Sequence, residues 1–358
     1  MYYKNSIIFL IKFIMKKKYY VLILIFVLLV GILMFFVFSK KKAEFEVDIS
    51  KIELNIEIER FDKDFERFSK GDFYTQVAFM EKTYQEFFEV YNYEIIAIGG
   101  ADNSAYLSYV NTFLNDFSVV QARKYVEKEY SKLDDVNEDL TYGFKHLKYY
   151  YPDVKIPRFV SFIAGFNQSV VLTEDFIGIG LDKYLGNDCE LYDMLQIPDF
   201  SKSEMTREQI AIDVLSAWAE AEYPFYSDSE NLLENMIYNG RKLYFLHSMF
   251  PNFKPERINK YTKEQLDFCE KFEREMWTTI VENKLLFSTD ALTIKKFVGS
   301  APFTYQFGPD SPPRTGNWLG FKIVCSYMKN EDVSLEELME EVDYQKILNL
   351  SKYNPKYK

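Results

Sequence analysis

An uncharged run of twenty residues near the N-terminus, from Tyr19 to Phe38, is the feature that most constrains how this chain folds. Its sequence is YYVLILIFVLLVGILMFFVF. A helix rises about 1.5 Å per residue, so a run of this length matches the roughly 30 Å hydrocarbon core of a bilayer. The sequence therefore predicts one N-terminal transmembrane helix at residues 19–38.

Charges on the two sides of this run indicate its orientation. Lysine clusters flank both ends, at residues 16–18 and 40–42, while Lys4 and Lys12 add positive charge to the N-terminal side alone. Acidic residues follow the second cluster. Cytoplasmic flanks carry the excess of lysine and arginine. We therefore expect the N-terminus on the cytoplasmic side of the cell membrane and the large C-terminal part on its periplasmic side.

The sequence then divides into four parts. They are a cytoplasmic segment at 1–18, the transmembrane helix at 19–38, a basic juxtamembrane linker at 39–46 and an extracytoplasmic domain at 47–358. A cleaved signal peptide is the alternative to a retained anchor, although the run is longer than an ordinary signal-peptide core and no clear small-x-small cleavage site follows it. Translation from Met15 is an open alternative for the start of the chain.

The exported part is acidic and poor in cysteine. The whole chain has a formal net charge of −11 although both lysine clusters belong to the membrane segment, which argues against nucleic acid as a partner. Cys189, Cys269 and Cys325 lack the paired spacing of a thiolate zinc site and are too few for a disulfide scaffold. One disulfide between two of these cysteines remains an alternative.

Hydrophobic periodicity predicts a mainly α-helical α+β domain with a small β-hairpin or sheet. The sequence VDISKIELNIEI at 47–58 alternates apolar and polar residues, as a half-buried strand does, and helical patterns dominate from 61 to about 150. Within 158–185, two β-branched and aromatic runs flank the sequence FNQ at 166–168. This arrangement predicts a β-hairpin with its turn at that sequence.

Capping patterns mark two helices in the second half of the chain. Thr206 and Gln209 have the spacing of a capping box for the helix that carries Asp213 and Trp218. The sequence YTKEQ at 261–265 opens another helix. No linker-like tract divides the region, which favours one large domain.

Several ordered segments carry a resemblance to a known family. They are IERFD at 58–62, GFNQSVVLTEDFIGIGLDKYLGND at 165–188, MIYNGRKLYFL at 236–246, YTKEQLDFCEKFEREMW at 261–277, LLFSTD at 285–290 and APFTYQFGPDSPPRTGNWLGFKIVCSYM at 301–328. Together they resemble the gliding-motility lipoprotein family GldB of Bacteroidota. The resemblance implies an envelope protein that works with gliding and secretion components at the membrane, and it implies no defined reaction.

The chain departs from this family at the anchor. The family name implies a lipobox cysteine after the hydrophobic run, whereas here Ser39 and three lysines follow it. A serine cannot be lipidated through sulfur. We therefore expect the helix at 19–38 itself to hold the protein in the membrane.

The order of elements also resembles a degenerate zinc-peptidase core. Such a core needs an HExxH helix and a later helix with a third ligand. The corresponding segments here are IDVLS at 212–216 and NGRKLYF at 239–245, so Ile212, Ser216 and Asn239 stand where two histidines and a glutamate are required. The sequence thus predicts a zincin-like domain without metal or other cofactor, and a non-enzyme is favoured over an enzyme.

Paired carboxylates keep a hydrolase hypothesis open. Glu174, Asp175, Asp182 and Asp188 cluster around the predicted hairpin, and hydrolysis requires two carboxyl groups in one cleft, for instance Asp175 with Asp213. The same acids lack the spacing of a calcium-binding loop. Solvated strand ends explain these acids more simply.

The sequence PDSPPRTGNWLG at 309–320 is the most distinctive segment. Its prolines stiffen the chain, and it could present Arg314 and Trp318 to a partner. In the alternative, Arg314 pairs internally with Asp310 or Asp213 and Trp318 packs in the core. The aromatic helix around Trp218 is likewise either a core face or a peptide groove.

These inferences favour a non-catalytic envelope component that acts through protein contacts in gliding motility or a related secretion assembly. The alternative is a carboxylate- or metal-dependent hydrolase of envelope peptide or glycan. The predicted contact residues are Arg314, Trp318, Asp310, Asp213, Trp218, Asn239, Asp175 and Asp182.

Overall fold

Four short strands form a sheet in the order β1–β2–β4–β3. They are β1 (Ile58–Glu59), β2 (Arg158–Phe162), β3 (Val170–Leu172) and β4 (Phe176–Gly180). β1 pairs with β2, and β2 with β4, in parallel. β3 is antiparallel to β4 and forms one edge of the sheet.

The computed structural model describes residues 45–356. Within this range no helix is long and apolar enough to cross a membrane. The predicted transmembrane helix at 19–38 lies outside the described residues, as does the predicted cytoplasmic segment.

Helices make up most of the described part, which agrees with the predicted mainly helical α+β class. Before β2 they are α1 (Phe61–Glu66), α2 (Phe73–Val90), α3 (Tyr106–Asn115), α4 (Phe117–Glu129) and α5 (Asp134–Tyr150). After β4 they are α6 (Glu190–Met194), α7 (Asp199–Lys202), α8 (Ile210–Glu222), α9 (Leu232–Met249), α10 (Pro255–Asn259), α11 (Lys263–Lys271), α12 (Glu273–Glu282), α13 (Ala291–Val298), α14 (Thr315–Asn330), α15 (Leu335–Glu340) and α16 (Tyr344–Ser351).

The two faces of the sheet belong to two hydrophobic clusters. Alternate strand residues point to opposite faces, so Phe159 and Ile177 enter the larger cluster with α5, α8, α9 and α14, while Val160 and Phe176 enter a smaller, aromatic cluster with α1, α2 and α3. Coverage on both faces buries all of β4 and all of β2 after Arg158, as in mostly parallel sheets, while β3 at the edge is only half-buried.

The crossing of α9 and α14 is the closest helix packing in the larger cluster. A Cβ added at Gly320 would overlap the carbonyl oxygen of Met236, and one added at Gly240 would overlap the backbone of Gly320. Only glycine allows two helix backbones to approach this closely. The glycines therefore fix the distance between the two helices.

The predicted strand at 47–58 is paired with β2 only at its last residue. The rest of the segment keeps its alternating burial but lies along α5 rather than in the sheet. The backbone N–H of Ile56 donates to Thr141 Oγ1 at 2.9 Å, and that of Ile58 donates to Asn137 Oδ1 at 3.2 Å. Helix side chains thus replace the strand partner that the alternation predicted.

The predicted hairpin turn at 166–168 is wrong. The first run, β2, is parallel to β4, and the hairpin is formed by β3 and β4 with its turn at residues 173–175. Residues 163–169 instead connect β2 to β3. Two β-rich runs in sequence carry no information on which of their parts pair, because the pairing depends on the rest of the sheet.

One of the two capping predictions is confirmed. Thr262 accepts from the backbone of Gln265, and the Gln265 side chain accepts from the backbone of Thr262. Thr206 makes no such side-chain bond, because a turn of 3₁₀ helix at Arg207–Gln209 precedes α8.

We expect Gly320→Ala to lower the free energy of unfolding by about 3 kcal/mol or more, since the added methyl overlaps the α9 backbone. Urea unfolding of the detergent-solubilised full chain measures this change. Gly71→Ala is the matched control, because its methyl meets only Arg67 O at an ordinary 3.5 Å. Equal stabilities for the two variants would contradict the proposed close packing.

Candidate functional site

A cleft of about 230 Å³ opens between α8 and α9. Its lining consists of Ile212, Asp213, Ser216 and Glu220 from α8, Asn239, Lys242, Leu243 and Leu246 from α9, Ile258, Asn259, Lys260 and Tyr261 around the end of α10, and Arg314 and Asn317 at the start of α14. The α9–α14 crossing positions the cleft, because Asn239 precedes Gly240 and Asn317 lies one turn before Gly320.

The three positions singled out by the zinc-peptidase resemblance meet at this cleft. Ile212 and Ser216 lie one turn apart on α8, and Asn239 faces them from α9. Isoleucine is not a zinc ligand, and serine and asparagine oxygens are poor substitutes for imidazole and carboxylate. Among residues 45–356, no group of three or more His, Cys, Asp or Glu side chains is placed to hold a metal ion.

Asp213 connects the cleft to the sheet. Its Oδ1 lies 2.6 Å from Lys260 Nζ, and its Oδ2 accepts a hydrogen bond from the Tyr184 hydroxyl at 3.1 Å. Tyr184 follows the single turn of 3₁₀ helix at Leu181–Lys183 that comes after β4, and it is buried. Lys260 reaches Asp213 from a left-handed position after α10, with φ of 54°. The predicted site residue Asp213 is therefore held by partners on both sides.

A second ion pair crosses the cleft itself. Lys242 Nζ on α9 lies 2.5 Å from Glu220 Oε1 on α8. The Ser216 hydroxyl donates to the same carboxylate oxygen at 3.3 Å. The Lys242–Glu220 ion pair thus joins α9 to α8 beside the cleft, in addition to the packing of the two helices.

Arg314 pairs with Glu204, not with Asp310 or Asp213. Its Nη1 and Nη2 donate to the two carboxylate oxygens of Glu204 at 3.1 and 2.7 Å. Burial disfavours the charged guanidinium, but the Glu204 carboxylate keeps the pKa of Arg314 above its ordinary value. Lys260 Nζ also lies 3.8 Å from Glu204, so the two ion pairs form one network.

The two tryptophans lie on the core side of the site. Trp318 is 3 % exposed and therefore cannot be the surface anchor that the loop sequence indicated. Trp218 is half-buried and stacks on Phe245 with ring centroids 5.6 Å apart. Both residues support the helices around the cleft, as the alternative interpretation expected.

Two other predicted residues lie away from the cleft. Asp310 is exposed in the loop before α14. Asp175 lies in the β3–β4 turn, where Lys155 Nζ contacts its carboxylate at 2.6 Å. The structure therefore does not bring Asp175 and Asp213 into one cleft, as a hydrolase using that pair would require.

Asp182 is buried beneath the loop that leads to β3. Its Oδ2 accepts from the backbone N–H groups of Ala164 and Phe166 at 3.1 and 2.8 Å, and its Oδ1 has no hydrogen-bond partner among the described residues. Burial outweighs these hydrogen bonds and raises the pKa of Asp182 to about 6. Gly165 and Phe166, at φ of 66° and 71°, form the left-handed turn that the carboxylate binds.

Both histidines have structural positions. His146 Nδ1 lies 2.9 Å from the carbonyl oxygen of Tyr142, and burial lowers its pKa. His247 stacks on Phe321 at 4.7 Å, and burial lowers its pKa to about 4. Neither histidine lines the cleft.

Sequence reasoning missed Glu204, Lys260 and Tyr184. Glu204 lies 110 positions from Arg314, and no local pattern marks it as a partner. The sequence analysis offered Asp310 and Asp213 as alternative internal partners of Arg314, and neither is the one in the structure. Only the packing of α7 and its following turn against the Arg314 loop identifies the right one.

We expect Asp182 to make the protein less stable as the pH rises. The folded-state pKa of about 6 lies above the ordinary 3.8, so the stabilisation is complete below about pH 4 and is lost as the pH passes 6. The difference between these two pKa values corresponds to about 3 kcal/mol of the free energy of unfolding. Urea unfolding of the wild type and Asp182→Asn between pH 4.5 and 7.5 measures it, and a pH-independent difference between the two would contradict the assignment.

We expect Glu204→Gln to destabilise the protein by about 3 kcal/mol, because Arg314 is then buried without a carboxylate. Thermal and urea unfolding measure the loss, and the double variant with Arg314→Leu should recover part of it. Asp267→Asn is the control, since it breaks an exposed pair with Lys263 and should cost less than about 0.5 kcal/mol. Equal losses for the two single variants would refute the buried network.

The comparisons with known proteins give one match. A family model described as gliding motility protein GldB matches residues 42–355, which include the sheet, the cleft and the Arg314 loop. Neither a curated protein nor a solved structure matches the chain. Because the family match covers most of the chain, and agrees with the ordered sequence blocks, the protein belongs to the GldB family of gliding motility proteins.

Proposed function

We propose that this protein is a membrane-anchored, non-catalytic envelope component of the gliding machinery, which binds a segment of a partner protein at the cleft between α8 and α9. The observation that carries the proposal is the identity of the residues at the centre of that cleft. Ile212, Ser216 and Asn239, the positions that the zinc-peptidase resemblance in the sequence assigns to metal ligands, line that cleft together. A family associated with gliding motility, with no reaction implied, agrees with a binding role.

The ion pairs of the cleft favour binding over acid–base chemistry. The two carboxylates that line it, those of Asp213 and Glu220, each contact a lysine Nζ at 2.6 and 2.5 Å. Catalytic carboxylates need free access to a substrate proton or to an attacking water. These two are instead used to join α8 to α9 and to the end of α10.

The anchor is proposed from the sequence. The uncharged run at 19–38 would retain the protein in the cell membrane as a single-pass helix, with the domain on the periplasmic side. A resident envelope protein with a cleft lined by both charged and apolar side chains suits the recognition of a neighbouring protein. The hydrolase alternative rests on the presence of Asp213 and Glu220 in one cleft.

The test separates a binding cleft from a catalytic one. In cells of the source organism, the chromosomal copy is replaced by Ser216→Trp, which fills the cleft, or by Glu220→Gln, which removes a carboxylate and keeps its shape. We expect Ser216→Trp to abolish gliding and Glu220→Gln to retain it. Cell displacement on a surface measures both outcomes.

Ser108→Trp provides the matched control, because it makes the same change on the exposed face of α3. Affinity isolation of the solubilised full chains, followed by mass spectrometry, should recover motility proteins with the control but at least about tenfold less with Ser216→Trp. Loss of gliding with Glu220→Gln, at unchanged protein level and partner recovery, would instead favour the hydrolase.

A further inference from the structure

The outer edge of β3 has unpaired backbone groups. In the antiparallel pair with β4, the backbone N–H of Thr173 donates to Phe176 O, and the N–H of Gly180 donates to Ser169 O, both at 2.9 Å. Alternate residues of a strand bond to opposite sides. The N–H and C=O groups of Val170 and Leu172 therefore point away from β4, and no described residue pairs with them.

The opposite edge of the sheet is closed. There α5 supplies Thr141 and Asn137, whose side chains accept the outward N–H groups of Ile56 and Ile58. Proteins usually cover or block their strand edges, because unpaired edges recruit other chains. This protein covers one edge and leaves the other open, within the part of the chain that the structure describes.

The open edge lies beside the cleft. Ser169, which precedes β3, adjoins the hydroxyl of Tyr184, and that hydroxyl donates to Asp213 on α8. Val170 and Leu172 pack against the larger hydrophobic cluster, and Val171 packs against the smaller one. A strand added to this edge would therefore have apolar neighbours and would pass the rim of the cleft.

Charge indicates what kind of segment fits. Removing the eight lysines and two glutamates of residues 1–46 from the net charge of −11 leaves −17 for residues 47–358. Glu174, in the turn next to β3, is exposed, and it shares Lys155 with Asp175, whose carboxylate that lysine contacts at 2.6 Å. An acidic surface attracts basic segments and repels acidic ones.

We propose that the outer edge of β3 binds an extended segment of the partner protein, in which apolar and basic residues alternate, as a fifth strand of the sheet. The proposal rests on the proposed function, since it names the part of the partner that is recognised. Val170 and Leu172 each offer one donor and one acceptor, so the guest strand forms up to four backbone hydrogen bonds. Its apolar side chains cover β3, and its basic side chains face the acidic surroundings.

Binding of defined peptides to the solubilised full chain tests this proposal. The probe is a ten-residue peptide of alternating valine and lysine, compared with one of alternating valine and glutamate. Fluorescence anisotropy should detect binding of the lysine peptide and at least about tenfold weaker binding of the glutamate peptide. Absence of binding by the lysine peptide, or equal binding of both, would overturn the proposal.

Leu172→Pro removes one outward N–H without removing a bond to β4, because residue 172 faces the free edge. Leu172→Ala is the matched control, since it shortens the side chain and keeps the N–H. We expect the proline variant to bind the lysine peptide about tenfold more weakly than the alanine variant, with similar melting temperatures. Equal affinities of the two variants would overturn the strand-addition geometry.

Hydrogen exchange locates the contact directly. The amides of Val170 and Leu172 should exchange faster than that of Val171 in the free protein, and the lysine peptide should slow both at least about tenfold. Self-association of the free chain that Leu172→Pro abolishes would assign the edge to a second copy and overturn the partner assignment. Gliding retained in Leu172→Pro but lost in Ser216→Trp would overturn the edge site alone and leave the proposed function standing.

Discussion

The contact between the backbones of α9 and α14 positions the residues that surround the cleft. With glycine at positions 240 and 320, the two helices approach until main-chain atoms touch. Asn239, next to Gly240, and Asn317, one turn before Gly320, then both line the cleft. The buried Trp318 and the Arg314 pair with Glu204 lie on the same stretch of chain. A wider crossing would move Arg314 and Asn317 away from the cleft that α8 and α9 form.

Charge is used in two ways in this protein. Inside the cleft region, Arg314, Lys260 and Lys242 each meet a carboxylate, so the ion pairs neutralise one another and act mainly to position helices and turns. Over the whole domain, acids greatly exceed bases. This excess acts at longer range and affects which molecules approach the surface, and how fast they do so at low salt.

The sequence predicts best those features that depend on residues close together along the chain. The mainly helical class and the cap at Thr262 follow from residues within a few positions of each other, and both are confirmed. The strand at 47–58 was wrong, because only its end pairs, and it does so with the distant residue Phe159. The hairpin turn was wrong, because β2 pairs with β4 in parallel and leaves β3 to form the hairpin. Ile212, Ser216 and Asn239, which the sequence analysis compared with zinc ligands, line one cleft, whereas Glu204 had no local signal at all.

The segment from Val47 to Glu57 has a mechanical consequence. It joins the sheet only at Ile58–Glu59, and Ile56 holds it to α5 by one hydrogen bond from its N–H to Thr141. With the proposed anchor at 19–38, tension from the membrane would reach this segment before it reaches the sheet, because the segment precedes β1 along the chain. The contacts of this segment with α5 would then be loaded before the backbone hydrogen bonds of the sheet.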